Sequence, residues 1–398
     1  MIKEIFLLQN PWRENEKYHF NLEKRQIFDT LLKNIDNELI LGLIGSRQVG
    51  KSSILCLLIE KLLESGVHRS NIFYFTLDDF KLHELFGSVL DFIQFIGKDD
   101  TKKYVFIDEV QRLPSPGLFL KEIFDLKRNI KIIFSGSSQL EVKAKTKEHL
   151  VGRARVFQIN RLSFSEYLHF ATPITKKEAF EQILIYGSYP AVATVSEPIE
   201  KKLRIKDIFQ SYIQKDVTDF LQVKKVDVYN KLLTRLATNI GNLLNIHELS
   251  KSLAAPRNEI ENYIDMLENT FICSRIYPFH KNLNKEITKT PKIYFLDLGL
   301  RNYILSAFNE LDKREDTGKL FENFYYNELL ANDFFSFNKI NFWRTTNQTE
   351  IDFIVQGEDI TEAIKVKWEA TKSVRAFHSF QGVYPGINTK VVQSSDFT

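Results

Sequence analysis

The sequence predicts an α/β fold built on a parallel sheet with helices on both faces, followed by a helical region and a second, smaller α/β segment. Two observations carry that prediction. Short runs rich in β-branched and aromatic residues recur from about residue 38 to 159, and the stretches between them are long enough for crossover helices. The first run, Glu38 to Ile44 (ELILGLI), is almost unbroken in its apolar character and leads into a glycine-bearing loop. Such a strand is buried on both faces, as in a parallel sheet covered by helices.

The elements follow in order. After the loop, Ser53 to Leu63 carries apolar residues at helical spacing. Further strands are expected at Asn71 to Thr76, Tyr104 to Ile107, Ile130 to Phe134 and Arg155 to Ile159. From Ser163 to Val223 the pattern is helical, with SEYLHF beginning at Ser165 and Ile205, Ile208, Phe209, Tyr212 and Ile213 at three- and four-residue spacing. Ile246 to Leu253, the turn Ala254-Ala255-Pro256 and Asn258 to Asn269 read as helix, turn, helix, with a strand from Ile272 to Pro278. From about Gly318 the chain reads as a helix bearing Glu322, then strands at Ile340 to Arg344, Glu350 to Val355 and Ala363 to Trp368.

A chain of 398 residues has room for two to three domains. With 54 Lys and Arg against 51 Asp and Glu, the net charge of +3 is too small for bulk electrostatic capture of nucleic acid, so such binding needs a local patch. The two cysteines, Cys56 and Cys273, are too far apart in sequence for a metal knuckle or a redox pair, which suits a reducing compartment. No signal-peptide pattern opens the chain, and the best apolar run, Leu39 to Gly45, is far shorter than a membrane span. The expectation is a cytoplasmic protein without a membrane partner.

Gly45-Ser46-Arg47-Gln48-Val49-Gly50-Lys51-Ser52, followed by Ser53, fits the phosphate-loop pattern, and it stands between a strand and a helix as that pattern requires. Its glycines let successive backbone N–H groups face a β-phosphate at the positive end of the following helix. Lys51 is expected on the β/γ oxygens, and Ser52 on Mg²⁺. The site is therefore read as one for ATP and Mg²⁺; a glycine-rich turn with an accidental Lys-Ser is the plain alternative.

Tyr104 to Glu109 is an apolar strand ending in two carboxylates. If it runs beside the phosphate-loop strand, Asp108 can hold Mg²⁺ through water and Glu109 can polarise an attacking water, a role that ATP hydrolysis needs. A solvated turn is the competing reading. In Phe134-Ser135-Gly136-Ser137-Ser138, Ser137 is favoured over Ser135 for placing that water. Arg153, in the loop before the next expected strand, is a candidate for the γ-phosphate of its own or a neighbouring subunit, against a plain surface role.

With these residues in hand, the chain resembles the archaeal and bacterial AAA-type P-loop ATPases that carry a C-terminal DUF4143 domain (AAA_14 plus DUF4143). The resemblance rests on GSRQVGKSS at Gly45, VFIDEVQRLP at Val105, FSGSSQLEVK at Phe134, LVGRARVFQINRLSFSEYL at Leu150, YGSYPAV at Tyr186, KIYFLDLGLRNYI at Lys292 and TEIDFIV at Thr349. It implies a P-loop NTPase core of the additional-strand kind, with the phosphate-loop strand central, over residues 1–165. A helical lid at 166–225, a winged-helix-like module at 226–300 and a degenerate restriction-endonuclease-like α/β domain at 301–398 complete the expected architecture.

The second helix of the expected winged helix carries Glu259, Glu261, Asp265 and Glu268 against Arg257, an acidic balance unsuited to reading DNA. Lys281, Lys285, Lys289 and Lys292, opposed only by Glu286, form instead a basic wing able to touch a nucleic-acid backbone, or a solvated charged loop. At the C-terminus, Glu322, Asp352 and Lys367 match the nuclease pattern of acids and a lysine around a divalent metal. Lys365 departs from it, placing an ammonium where a second metal-binding acid belongs. Cleavage is therefore doubtful; Glu350 or Glu362 would have to complete a cleaving site. The expected function is a Mg²⁺-dependent ATPase working as a switch or remodeller on nucleic acid or a protein partner, with a homo-oligomer allowed. An ATP-gated scaffold with little turnover and an ATP-coupled nuclease are the alternatives.

Overall fold

The structure is a computed structural model that describes residues 2–15, 18–137, 149–171, 174–211, 226–280, 290–357, 361–369 and 375–398. The chain divides into two compact units, Met1–Ile159 and Asn160–Thr398.

The first unit is a five-stranded sheet in the order β2-β3-β4-β1-β5, comprising β1 (Ile40–Ile44), β2 (Ile72–Thr76), β3 (Lys103–Asp108), β4 (Ile130–Gly136) and β5 (Ala154–Gln158). Every pairing is parallel, so all five C-terminal ends open at one edge. Helices α1 (Ile2–Gln9), α2 (Phe28–Asn34), α3 (Lys51–Glu64), α4 (Val89–Ile96) and α5 (Pro116–Asp125) accompany it. Residues 40–44 are all buried, as their unbroken apolar pattern requires. One side of the core is an aromatic cluster in which Phe6, Phe75, Phe86, Phe92 and Phe119 meet at ring distances of 5.1 to 5.8 Å.

The N-terminal segment closes the free edge of β2. Asn10 exchanges hydrogen bonds with the Tyr74 backbone in both directions at 2.8 Å, Gln9 accepts from the Thr76 N–H, and Arg13 donates to the Ile72 carbonyl. An edge that would otherwise present a row of unpaired backbone groups is thereby capped by side chains.

The expected strands are all present in the first unit, but their order corrects one assumption. β3 does not run beside the phosphate-loop strand: β4 lies between them. The additional-strand arrangement implied by the resemblance therefore holds, with β1 an interior strand flanked by β4 and β5.

The second unit begins with the helices Phe164–Phe170, Lys176–Tyr186 and Pro198–Ser211. Ser163 and Thr175 start the first two with reciprocal capping boxes to Glu166 and Glu178. The helices Ile246–Ser252 and Arg257–Asn269 follow, and then the antiparallel ribbon β6 (Cys273–Ile276) and β7 (Lys292–Phe295). The last segment is the helix Thr317–Ala331, antiparallel β8 (Lys339–Arg344), β9 (Glu350–Gln356) and β10 (Thr361–Lys367), the helix Arg375–Val383, and β11 (Asn388–Gln393) parallel to β10.

Two of the sequence motifs turn out to be one structural joint. Asp297, fully buried in the KIYFLDLGL stretch, accepts from the backbone N–H groups of Ser188 at 2.8 Å and Leu300 at 2.9 Å, and Asn302 donates to the carbonyls of Leu184 and Ile185. The YGSYPAV and LDLGLRN segments hold each other, because buried backbone groups must find partners.

Candidate functional site

The phosphate loop runs from the end of β1 to the start of α3. Gly45 is required by its neighbour: a Cβ there would sit 2.2 Å from the Ile159 carbonyl oxygen. Gly50 takes φ +92° where the loop becomes the helix, a conformation that side chains disfavour. Ser46, Val49 and Lys51 are buried, Arg47, Gly50 and Ser53 half-buried, and Gln48 and Ser52 exposed. Lys51 Nζ donates to the Gly45 carbonyl at 3.0 Å and the Ser46 carbonyl at 2.7 Å, so its ammonium lies over the loop itself. Arg25, which carries no local motif of its own, donates to the Val49 carbonyl at 2.7 Å from a buried position and braces the loop.

Asp108 ends β3 at the same sheet edge and is almost fully buried. Its carboxylate accepts from Tyr74 Oη at 2.9 Å and from Ser135 Oγ. Burial pushes its pKa above the ordinary carboxylate range, Glu109 adds to the rise, and the nearby Ser135 and Ser52 hydroxyls oppose it. The phosphate-loop Ser52, 56 residues away in sequence, is thus brought near enough to act on the Asp108 carboxylate.

Glu109 follows in a left-handed conformation, φ +58°. That turn lets its N–H donate to Ser135 Oγ at 3.1 Å while its carboxylate accepts from Gln111 Nε2. Gln111 Nε2 also donates to Ser137 Oγ at 2.8 Å. Ser135 therefore fixes both acids of the pair, whereas Ser137, the serine favoured from sequence, reaches Glu109 through Gln111. Gln111 was not singled out from sequence; its only signal was its place two residues beyond the acids.

Arg153 is elsewhere. Its carbonyl accepts from the Ile40 N–H, at the N-terminal end of β1, and its guanidinium pairs with Asp125 at 2.8 Å. The phosphate loop leaves from Ile44 at the other end, about 13 Å along the strand. Action on the nucleotide of its own chain is excluded by this placement, because a parallel strand starts where its neighbour starts. Arg155, in register with Leu41, lies toward the same far end and donates to Asn34.

In the second unit, Glu322, Glu350 and Asp352 bring carboxylate oxygens within 4.8 Å of one another. Three such charges repel by about 3 kcal/mol per pair at an effective dielectric constant of about 20. Cations answer them. Lys292 Nζ, fully buried, pairs with Glu350 at 2.6 Å and Glu322 at 3.2 Å, Lys365 Nζ with Asp352 at 2.5 Å, Lys319 with Glu322 at 3.4 Å, and Arg344 with Glu350 at 3.2 Å. Tyr294 Oη donates to Glu322 at 2.6 Å and the Val366 N–H to Asp352 at 2.7 Å. Burial raises the Asp352 pKa, with Glu322 adding to the rise and Lys365 opposing it; at Glu322 burial acts the same way but Lys292 and Lys319 outweigh it. Burial also opposes the charge on Lys292, and the three carboxylates outweigh it to hold the ammonium protonated.

The expected nuclease-type residues fare unequally. Glu322 and Asp352 come together and Glu350 joins them, while Glu362 sits elsewhere on β10 opposite Val355. Lys367 is exposed at the end of β10, on the rim of the open cleft that Glu322 and Asp352 also line. The basic wing needs correction. Lys292 is not available to a phosphate backbone, because it is buried under Glu322 and Glu350 as the start of β7. Lys281, Lys285 and Lys289 lie outside the described residues. In the helix Arg257–Asn269, Asp265 and Glu268 are paired with Arg275.

The parallel sheet with the phosphate loop leaving its interior strand β1 is the α/β core of a P-loop NTPase fold. The family model described as AAA domain (AAA_14) matches residues 37–168, and domain of unknown function DUF4143 matches 317–395, which is the expected pairing; domain of unknown function DUF8612 matches 177–311 between them. An uncharacterized protein of Haemophilus influenzae is 24% identical over 361 residues, covering 87% of each chain. One of Methanocaldococcus jannaschii is 26% identical over 332 residues, covering 75% of this chain and 69% of its own. Among solved structures, a DNA replication initiation factor aligns with TM-score 0.31 at 16% identity over 80% of this chain and 98% of its own. AMPPCP-bound DnaA from Aquifex aeolicus aligns with TM-score 0.30 at 14% identity over 61% and 86%. No helix among the described residues is long and apolar enough to cross a membrane.

Proposed function

We propose that the protein is a Mg²⁺-dependent ATPase whose nucleotide state drives a switch or remodelling action on a nucleic-acid or protein partner. The observation that carries this reading is the placement of Asp108 at the end of β3, on the sheet edge where the phosphate loop leaves β1, with Glu109 next in the chain and its carboxylate accepting from Gln111. A phosphate-loop hydroxyl and a strand-end carboxylate are the hard oxygen donors that Mg²⁺ takes, so Ser52 and Asp108 would hold it. When bound, the metal supplies neutralisation of phosphate charge.

The chain's own groups do the rest. Lys51 exchanges the Gly45 and Ser46 carbonyls for β- and γ-phosphate oxygens, and the loop N–H groups face the same oxygens. Glu109, oriented by Gln111, accepts a proton from water as the water oxygen bonds to the γ-phosphorus. The bond from that phosphorus to the β–γ bridging oxygen breaks, and ADP leaves with the electron pair.

Beyond the core, the order of the described elements supports a helical lid at 166–225, of which 212–225 lie outside the described residues, a winged-helix-like module at 226–300 and a nuclease-like fold at 301–398 that serves binding or structure. An ATP-coupled nuclease is disfavoured, since Lys292 and Lys365 sit on the acids it would need. The test is a pair of variants assayed for ATP binding and phosphate release. Lys51→Ala loses tight ATP binding or turnover, and Glu109→Gln binds ATP but hydrolyses it at least about 100-fold more slowly. ATP bound by the parent without turnover leaves the scaffold reading standing.

A further inference from the structure

The acid cluster of the second unit has the composition of a divalent-cation site and the contents of something else. Glu322 from the helix Thr317–Ala331 and Glu350 and Asp352 from β9 converge within 4.8 Å. Oxygen ligands of this kind and number suit Mg²⁺ or Mn²⁺. Yet the Lys292 ammonium touches two of the three carboxylates from a position with no solvent exposure, and Lys365 touches the third. With Lys319 and Arg344 at the outer oxygens, four cationic side chains surround three anionic ones. A divalent ion added to this group would enter a site whose charge is already answered, and would lie against an ammonium it cannot expel to water without moving β7.

We propose that Lys292 is a built-in counter-ion standing in the place of a divalent cation, so that this centre is metal-independent and its carboxylates instead fasten the β6–β7 ribbon to the C-terminal α/β segment. Lys292 begins β7, Glu322 and Glu350 belong to the C-terminal segment, and Tyr294, two residues along β7, reaches Glu322 as well. The ribbon thus makes both ionic and hydrogen-bonded attachments to one buried acid. Burial explains why the attachment is specific: removing either partner leaves an unpaired charge away from water. Lys365, the substitution visible in sequence, is on this reading the second cation of the site, and reverting it to an acid leaves the Lys292 ammonium in place.

The experiment uses the full chain and Mn²⁺ alone as the probe, followed by the paramagnetic resonance of the free ion and by thermal unfolding with and without metal. The parent is expected to show no Mn²⁺ binding that Asp352→Asn removes, up to millimolar metal, and no metal-dependent rise in unfolding temperature. Lys292→Met is expected to bind one Mn²⁺ at least tenfold more tightly than the parent, to unfold at higher temperature with Mn²⁺ than without, and to lose both effects when Asp352→Asn is added. Should Lys292→Met not fold in metal-free buffer, recovery of a cooperative unfolding transition on adding Mn²⁺ supports the proposal equally, and Lys292→Gln, which keeps a donor without charge, repeats the comparison. Asp352-dependent Mn²⁺ binding by the parent overturns the proposal whatever the variants do. Failure of both variants to gain metal binding, folded or not, overturns it too, because the carboxylates then do not accept a cation in place of the ammonium.

Discussion

The side-chain amide of Gln111 donates to the Ser137 hydroxyl at 2.8 Å, and the same nitrogen serves the Glu109 carboxylate. One buried amide therefore links the end of β4 to the residue proposed to activate water. On the proposed mechanism Gln111 is a positioning residue, since it reaches the water only through Glu109.

Gln111→Ala is expected to lower kcat about tenfold with little change in KM, because the carboxylate loses its orientation while the phosphate loop is untouched. Combined with Glu109→Gln it should cost nothing further, as two residues acting through one group are not additive. Steady-state ATPase kinetics on the two singles and the double decide this; additive losses would place Gln111 in another role.

Arg153 stands at the sheet end away from Lys51, so any part it plays in hydrolysis is played on a neighbouring copy. Arg153→Ala is expected to keep ATP affinity and lose turnover, and mixing it with Lys51→Ala should restore part of the activity, since each supplies what the other lacks. Unfolding temperature should hardly change, because the Asp125 pair is solvent-exposed. Full turnover in Arg153→Ala would leave it a surface arginine.

Glu328 gives a stability prediction with a defined sign. Its pKa is pushed up to about 7 by burial, with Glu166 adding to the rise and the Phe164 N–H bond opposing it. Below the ordinary glutamate range both folded and unfolded chains hold the proton; between about 4.5 and 7 the folded chain holds it and the unfolded chain does not. This residue's contribution therefore favours folding at low pH and is lost as pH rises through about 7. Glu328→Gln keeps an acceptor for Phe164 and should raise the unfolding temperature by several degrees at pH 8 but little at pH 4, read by thermal melts.

Asp297 tests the joint between the two motifs. Asp297→Ala leaves the Ser188 and Leu300 N–H groups buried without an acceptor, a loss of about 2–4 kcal/mol in unfolding free energy. Asp297→Asn, which retains one oxygen, should cost less, and burial already holds the native carboxyl's pKa above the ordinary range. Denaturant titration of the two variants gives the comparison.

Local patterns were legible because their chemistry is local. The phosphate loop needs its glycines, lysine and serine within eight consecutive residues, and a parallel strand buried on both faces spells itself as an apolar run such as residues 40–44. The C-terminal strands were readable as short runs, Ile340 to Arg344, Glu350 to Val355 and Ala363 to Trp368, that the structure keeps as β8 to β10. Lys365 was readable as an anomaly by its spacing from Lys367 on one strand face.

What the sequence by itself determined is the set of elements and the residue types at strand ends and loop. What only the tertiary structure decided is which of them meet. Strand order is set by pairings between residues 27 to 114 apart in sequence, and it placed β4 between the two halves of the nucleotide site, brought Ser135 onto Asp108 and Gln111 onto Glu109, and carried Arg153 to the wrong end of the sheet for its own nucleotide. In the second unit, a run of four lysines has no sequence property that separates a solvated one from a buried one. Lys292 is buried because β7 sets it against three carboxylates from two other elements, and the attraction of those charges offsets the desolvation that would otherwise keep an ammonium in water.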